Sequence, residues 1–248
     1  MKNHFLAAVA LAIFCFSCES QKKPIEKSWL GKSVDFSQLK EVTNTYYMFD
    51  SAGTKVGSMI FGFSFENGFL IARDTSQFDN GSVYETAEFT FDTTDFRMIK
   101  VATDMKTPKG TLDLDVRLEN GRVKGTYVVI RDTTTRTNAI DSAYQFTNFR
   151  EEIYMMIHTL SMKPNDTIAI KSLTSTSIST GSLSYSGSET IETLNGLEPC
   201  DVIWLKADGK MPDNKIWISQ KSPRTIMKFY VPGPELTIVL KRQTGLNQ

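Results

Sequence analysis

Apolar and polar residues alternate along most of this chain. Across 111–118, Leu112, Leu114, Val116 and Leu118 are set against Asp113, Asp115 and Arg117. A period of two predicts a strand with one buried and one solvated face. Residues 83–91 repeat it through Val83, Ala87, Phe89 and Phe91, and 55–66 are rich in Val56, Met59, Ile60, Phe61, Phe63 and Phe65. Asn67-Gly68 and Asn120-Gly121 separate such runs, and Asn-Gly is the strongest short hairpin signal. Further strands are expected at 43–50, 69–74, 96–102, 123–130 and 139–146, then at 167–170, 189–194, 200–207, 215–220, 225–231 and 236–241. The Ser/Thr-rich span 172–187 carries Ile178, Leu183 and Tyr185 among β-favouring threonines, which predicts exposed strands turning near Gly181.

One stretch departs from that period. Within 149–162, Ile153, Met156, Ile157 and Leu160 fall at i, i+3, i+4 and i+7, the apolar stripe of an amphipathic helix. Glu151 and Glu152 suit its positive end, and Lys163-Pro164-Asn165-Asp166 closes it. The pattern predicts a mainly β protein: an antiparallel curved sheet or open β-barrel wrapped around one central helix. Residues 28–242 form this domain, as two halves joined by helix 149–162, and 243–248 are expected to fray.

The first residues change the setting. A basic start, an apolar run over 5–16, and Ser17 before Cys18 form a secretory pattern. The Ser17-Cys18 junction resembles a bacterial lipobox. That implies removal of residues 1–17, acylation of Cys18 with palmitate-type chains, and a polar tether over 18–27. Two or more chains hold a protein where one does not. The expected location is the bacterial cell envelope, lipid-anchored at the outer membrane, on its periplasmic or surface face.

Composition narrows the function. Lys+Arg and Asp+Glu both number 28, so no global field draws in nucleic acid, and no basic patch interleaved with aromatics stands out. Cys200 is alone once Cys15 leaves and Cys18 is acylated, and its neighbours Val202, Ile203 and Trp204 predict burial. His158 has no Gly-x-Ser-x-Gly elbow to serve and is expected to be structural. His and Cys are too few for a zinc site, so neither metal nor cofactor is expected. Asp113 and Asp115, about 7 Å apart on one strand face, read as solvated residues rather than a glycosidase pair. What remains is a set of large, adaptable side chains: Tyr154, Met155 and Met156 on the helix, with Trp204, Trp217 and Phe229 on later strands. These are the candidate lining of an apolar ligand pocket.

Asn195-Gly196-Leu197-Glu198-Pro199-Cys200-Asp201-Val202, followed by Lys215-Ile216-Trp217-Ile218-Ser219 and Pro223-Arg224, resembles the TapB-like envelope family, whose domain has no assigned function. Pro164-Asn165-Asp166-Thr167-Ile168 matches that family's entry into the strand after its helix. The resemblance covers 153–240 and departs at the Ser/Thr segment and at Lys210-Met211-Pro212. It implies an outline similar to the open barrels of lipoprotein carriers, which hold acyl chains against a concave sheet. The reading is a non-enzymatic envelope lipoprotein binding a lipid or other apolar molecule. The alternative is a structural or protein-interaction module engaging envelope proteins.

Overall fold

The computed structural model describes residues 28–29, 32–94, 97–143, 149–174, 177–208 and 211–245. The expected signal segment 1–17, Cys18, the tether 18–27 and the last residues 246–248 lie outside them. Two short strands, β1 (Ser28–Trp29) and β2 (Lys32–Ser33), pair with each other. Then come β3 (Val42–Phe49), β4 (Lys55–Glu66), β5 (Phe69–Phe78), β6 (Tyr84–Asp92), β7 (Met98–Thr107), β8 (Gly110–Glu119), β9 (Arg122–Arg131) and β10 (Thr134–Ala143). The helix α1 (Arg150–Thr159) is followed by β11 (Thr167–Thr174), β12 (Ser177–Thr193), β13 (Gly196–Ala207), β14 (Asn214–Ser219), β15 (Ile226–Val231) and β16 (Leu236–Thr244).

Strands β3 to β10 pair in sequence order, and so do β11 to β16. The two meanders meet where β16 pairs antiparallel with β3. The result is one 14-stranded curved sheet with β10 and β11 at its edges. The sheet is not closed. Its first and last long strands are joined, and the gap falls between the two strands that flank the helix in sequence. Two turns show why the hairpins form where they do. Asn67 and Gly68 have φ of 52° and 83°, and Asn120 and Gly121 have 51° and 73°. Positive φ at both central residues is the type I′ geometry that matches strand twist.

The helix is shorter than expected and buried all round. It ends at Thr159 because Leu160 is extended, with φ −82° and ψ 134°. Leu160 bridges to Val34, and the Thr159 carbonyl accepts the Asp35 N–H at 2.9 Å. The Arg224 guanidinium donates to the Leu160 carbonyl. Partners from other elements thus take the helix-end carbonyls four residues before Pro164. Every residue from Glu151 to Thr159 is buried, so the expected polar face is absent. At the other end the Phe149 N–H donates to Glu152 Oε2 at 3.0 Å. Ring contacts tie the helix to both meanders: Phe149 to Phe89 at 6.2 Å, His158 to Phe63 at 5.2 Å, and Tyr154 to Phe229 at 5.1 Å. The rings of Phe63, Phe89 and Phe229 thus mark the inner face of the sheet, the one turned to the helix.

Three further expectations need correction. Gly181 is no turn: it sits inside β12, opposite Ile170 on one side and Ala207 on the other. A Cβ there would lie 2.3 Å from the Lys206 carbonyl oxygen, so the sequence reserved glycine for close strand approach rather than a bend. Gln243 and Thr244 are not frayed but extend β16, and Gln243 Nε2 donates to Asn44 Oδ1 at 2.9 Å and Thr225 Oγ1 at 3.1 Å. The strand before the helix begins at Thr134 rather than Ala139; residues 144–148 lie outside the described ones.

Candidate functional site

The six residues nominated as a pocket lie on two faces. Ile216 pairs with both Ile203 and Phe229, while Trp217 pairs with Val202 and Lys228. Neighbouring strand positions point to opposite faces, so Phe229 is inner while Trp217, and with it Trp204, are outer. Trp217 Nε1 donates to Glu189 Oε2 at 2.7 Å, and the Lys215 and Lys228 ammoniums lie 4.5 and 4.6 Å from its ring centre. Lys206 covers Trp204 at 4.3 Å. Tyr154, Met155, Met156 and Phe229 are brought together inside, but as packed core: Met155 and Met156 are each 1% exposed. Spacing along a strand does not tell which aromatic faces inward until register is known.

His158 is also core. Its Nδ1 lies 2.8 Å from the Tyr154 carbonyl, which can only accept, so Nδ1 carries the proton. Nε2 is buried without a hydrogen-bond partner among the described residues. Burial, aided by the charge of Arg224 and opposed by the bond to Tyr154, pushes the imidazole down to about 4. Cys200 is fully buried, and burial pushes its thiol up to about 12. Asp113 and Asp115 are exposed on the outer face, in a 440 Å³ depression with Arg73, Glu88 and Asp104. Among the described residues, no group of three or more His, Cys, Asp or Glu is placed to hold a metal ion.

Sequence reasoning missed a charge cluster at the N-terminal end of α1. Arg150 Nη2 lies 3.0 Å from Glu151 Oε1 and 3.7 Å from Glu85 Oε2. Asp74 is 4% exposed and accepts the Ser76 hydroxyl at 3.0 Å. Burial, and then the charge of Glu151, raise Asp74 to about 7. Burial also holds Glu85 above its ordinary range, with Arg150 opposing, and the Glu151 carboxylate drives Arg150 upward. Three carboxylates thus share one guanidinium. A signal existed: Asp74 is in phase with Leu70 and Ala72, the inward set of β5.

The inner face is not covered evenly. Two rows of paired residues run across it from the charge cluster to the free edge. One is Ser76, Glu85, Met105, Leu112, Val129, Arg136; the other is Asp74, Ala87, Thr103, Leu114, Tyr127, Asn138. In the second row Asp74, Ala87 and Leu114 are buried. Towards the edge, Met105, Leu112, Tyr127 and Val129 are only half-buried. There a cleft of 440 Å³ is lined by Tyr127, Val129, Arg131, Asp132, Thr134, Arg136 and Asn138. At the helix's other end, by contrast, a 370 Å³ cleft is lined by an arginine already paired: Arg224 donates to the Ser219 carbonyl at 3.2 Å and to Asp201 Oδ2 at 2.7 Å.

Residues 46–241 match the family described as a protein of unknown function, DUF3108. No curated protein matches the chain. Among solved structures, a β-barrel-like protein of the domain of unknown function DUF1849 from Brucella abortus superposes with a TM-score of 0.54 at 8% identity, covering 85% of this chain and 99% of that one. This likeness shows the fold. The hypothetical lipoprotein YmcC from Escherichia coli gives a TM-score of 0.31 at 10% identity, covering 86% of this chain and 91% of that one.

Proposed function

The chain belongs to the DUF3108 family of proteins of unknown function, and on that premise we propose that it is a non-enzymatic envelope lipoprotein that holds a lipid or other apolar molecule in its open barrel. Acylated Cys18 anchors it to the outer membrane and 18–27 tether it. The sheet wraps around α1 and keeps the uncovered part of its inner face for the ligand. The TapB-like resemblance supports the same reading.

One observation carries the proposal. Tyr127 continues the row that contains buried Ala87 and Leu114, and Met105, Leu112 and Val129 form the row beside it, yet all four stay only half-buried next to a 440 Å³ cleft. That volume lies within the range of small-molecule sites, and a ligand there removes apolar surface that the helix leaves wet. The cleft is on the inner face of β9 and β10 and does not involve the six residues expected from the sequence. The alternative, an interaction module, draws on the unpaired edges of β10 and β11.

Native mass spectrometry of the full protein, released in mild detergent from a bacterial host, tests this. The expected result is a bound mass that partitions into organic solvent. A clean protein mass, together with no uptake of fluorescent fatty acid, overturns the carrier reading and directs crosslinking at the strand edges.

A further inference from the structure

We infer that the ligand is an anionic amphiphile, bound with its carboxylate or phosphate head on Arg131 and Arg136 and its chain directed towards α1. This rests on the carrier reading and adds the ligand's charge and direction.

Both arginines line the cleft, and neither forms an ion pair among the described residues. Arg122, at the opposite end of the β9–β10 hairpin, is held by Asp141. Arg131 pairs in register with Thr134, two positions from Arg136 on the facing strand. Diagonal neighbours on one face lie about 7–8 Å apart at the backbone, so two long side chains there can reach one shared anion. Guanidinium suits this role, because its planar fork matches carboxylate and phosphate oxygens. Thr134 and Asn138 add neutral donors to the same lining, and Asp132, in the turn, supplies its single carboxylate.

Direction follows from the row that ends at Arg136. Inward from it come Val129, Leu112 and Met105, an apolar floor about 10 Å across at two strand spacings. The next residue is Glu85, which belongs to the cluster of Asp74, Glu151 and Arg150. The row that leads inward from the cleft therefore has a cationic outer end, an apolar middle and an acid-rich inner end. An anionic head is attracted to one end and repelled from the other, so the ligand has one orientation.

The test is a titration of the full protein, stripped of bound lipid, with dodecanoate, dodecyl phosphate and dodecanol, each displacing a fluorescent fatty acid. The expected result is that at least one anionic probe binds about tenfold tighter than the alcohol, with added salt narrowing the gap. Arg131→Gln combined with Arg136→Gln removes the gap and leaves alcohol binding unchanged, whereas Arg117→Gln, on the outer face of β8, leaves it intact. The ranking of dodecanoate against dodecyl phosphate identifies the head group. Equal binding of all three probes, or a preference that survives the double substitution, overturns this inference while the carrier reading stands. If no probe displaces the fluorophore and the fluorophore itself does not bind the folded protein, both readings fall.

Discussion

Replacing Asp74 by asparagine removes a charge that the fold resists. Asp74 is 4% exposed, and burial followed by the Glu151 charge lifts it from an ordinary 3.8 to about 7. At about 1.4 kcal/mol per pH unit, ionising it in place costs about 4 kcal/mol. The sign follows from proton counting. Between pH 4 and 7 the folded chain keeps a proton on Asp74 that the unfolded chain releases, so this group's contribution to stability falls as pH rises through that window and levels off above it. Asparagine keeps the shape and can still accept the Ser76 hydroxyl at 3.0 Å. The cluster also readjusts, since Glu85 and Arg150 both feel Glu151. A gain of about 2–4 kcal/mol is therefore expected for Asp74→Asn at pH 8, shrinking to within about 1 kcal/mol of wild type near pH 4.5. Urea denaturation at fixed ionic strength, stepped from pH 4.5 to 8.5, measures the difference. A gain that does not vary with pH, or a variant less stable than wild type at pH 8, would refute the argument that Asp74 is held uncomfortably ionised.

Other changes probe the rest of the structure. Ile157→Ala, at a fully buried helix position, should cost about 2–5 kcal/mol in a denaturant melt, and a loss under 1 kcal/mol would mean the helix packs loosely. Gly62→Ala would place a Cβ 2.3 Å from the Val42 carbonyl oxygen and should destabilise by about 1–3 kcal/mol; an unchanged melting temperature would show that β3 and β4 separate freely. The His158 imidazole should titrate near pH 4 in an NMR series, because burial depresses it, and a midpoint near 6.5 would place the ring in water. His158→Ala should leave ligand uptake intact; uptake lost without loss of folding would give the ring a functional role.

Much of the fold was legible because it is written in local patterns. The strand expected at 55–66 is β4 (Lys55–Glu66), and both Asn-Gly turns fall where their positive φ is required. The helix was visible from its apolar stripe. Its true environment was not, since nothing in the spacing of Ile153, Met156 and Ile157 reveals that Glu151, Glu152 and His158 are buried as well. Register was the other missing quantity. Trp217 and Phe229 are both large aromatics, but one lies beneath lysines on the outer face and the other against Tyr154 inside. The cleft was illegible for a related reason: Arg136, Val129, Leu112, Met105 and Glu85 come from separate strands and form a row only through their pairing.

The join between β3 and β16 has a consequence for how the chain finds its structure. Every other pair in the large sheet connects strands adjacent in sequence, whereas this one brings Asn44 to Gln243, 199 positions away. Folding rates fall as contacts become more distant in sequence, although the entropy of closing a long loop grows only logarithmically. Each meander can zip from its own turns on a fast, local timescale. The meeting of first and last long strands, with the helix docked between the meanders, is then the slow search that sets the overall rate. A substitution that weakens this join should slow refolding, whereas one confined to an outlying hairpin should mainly speed unfolding.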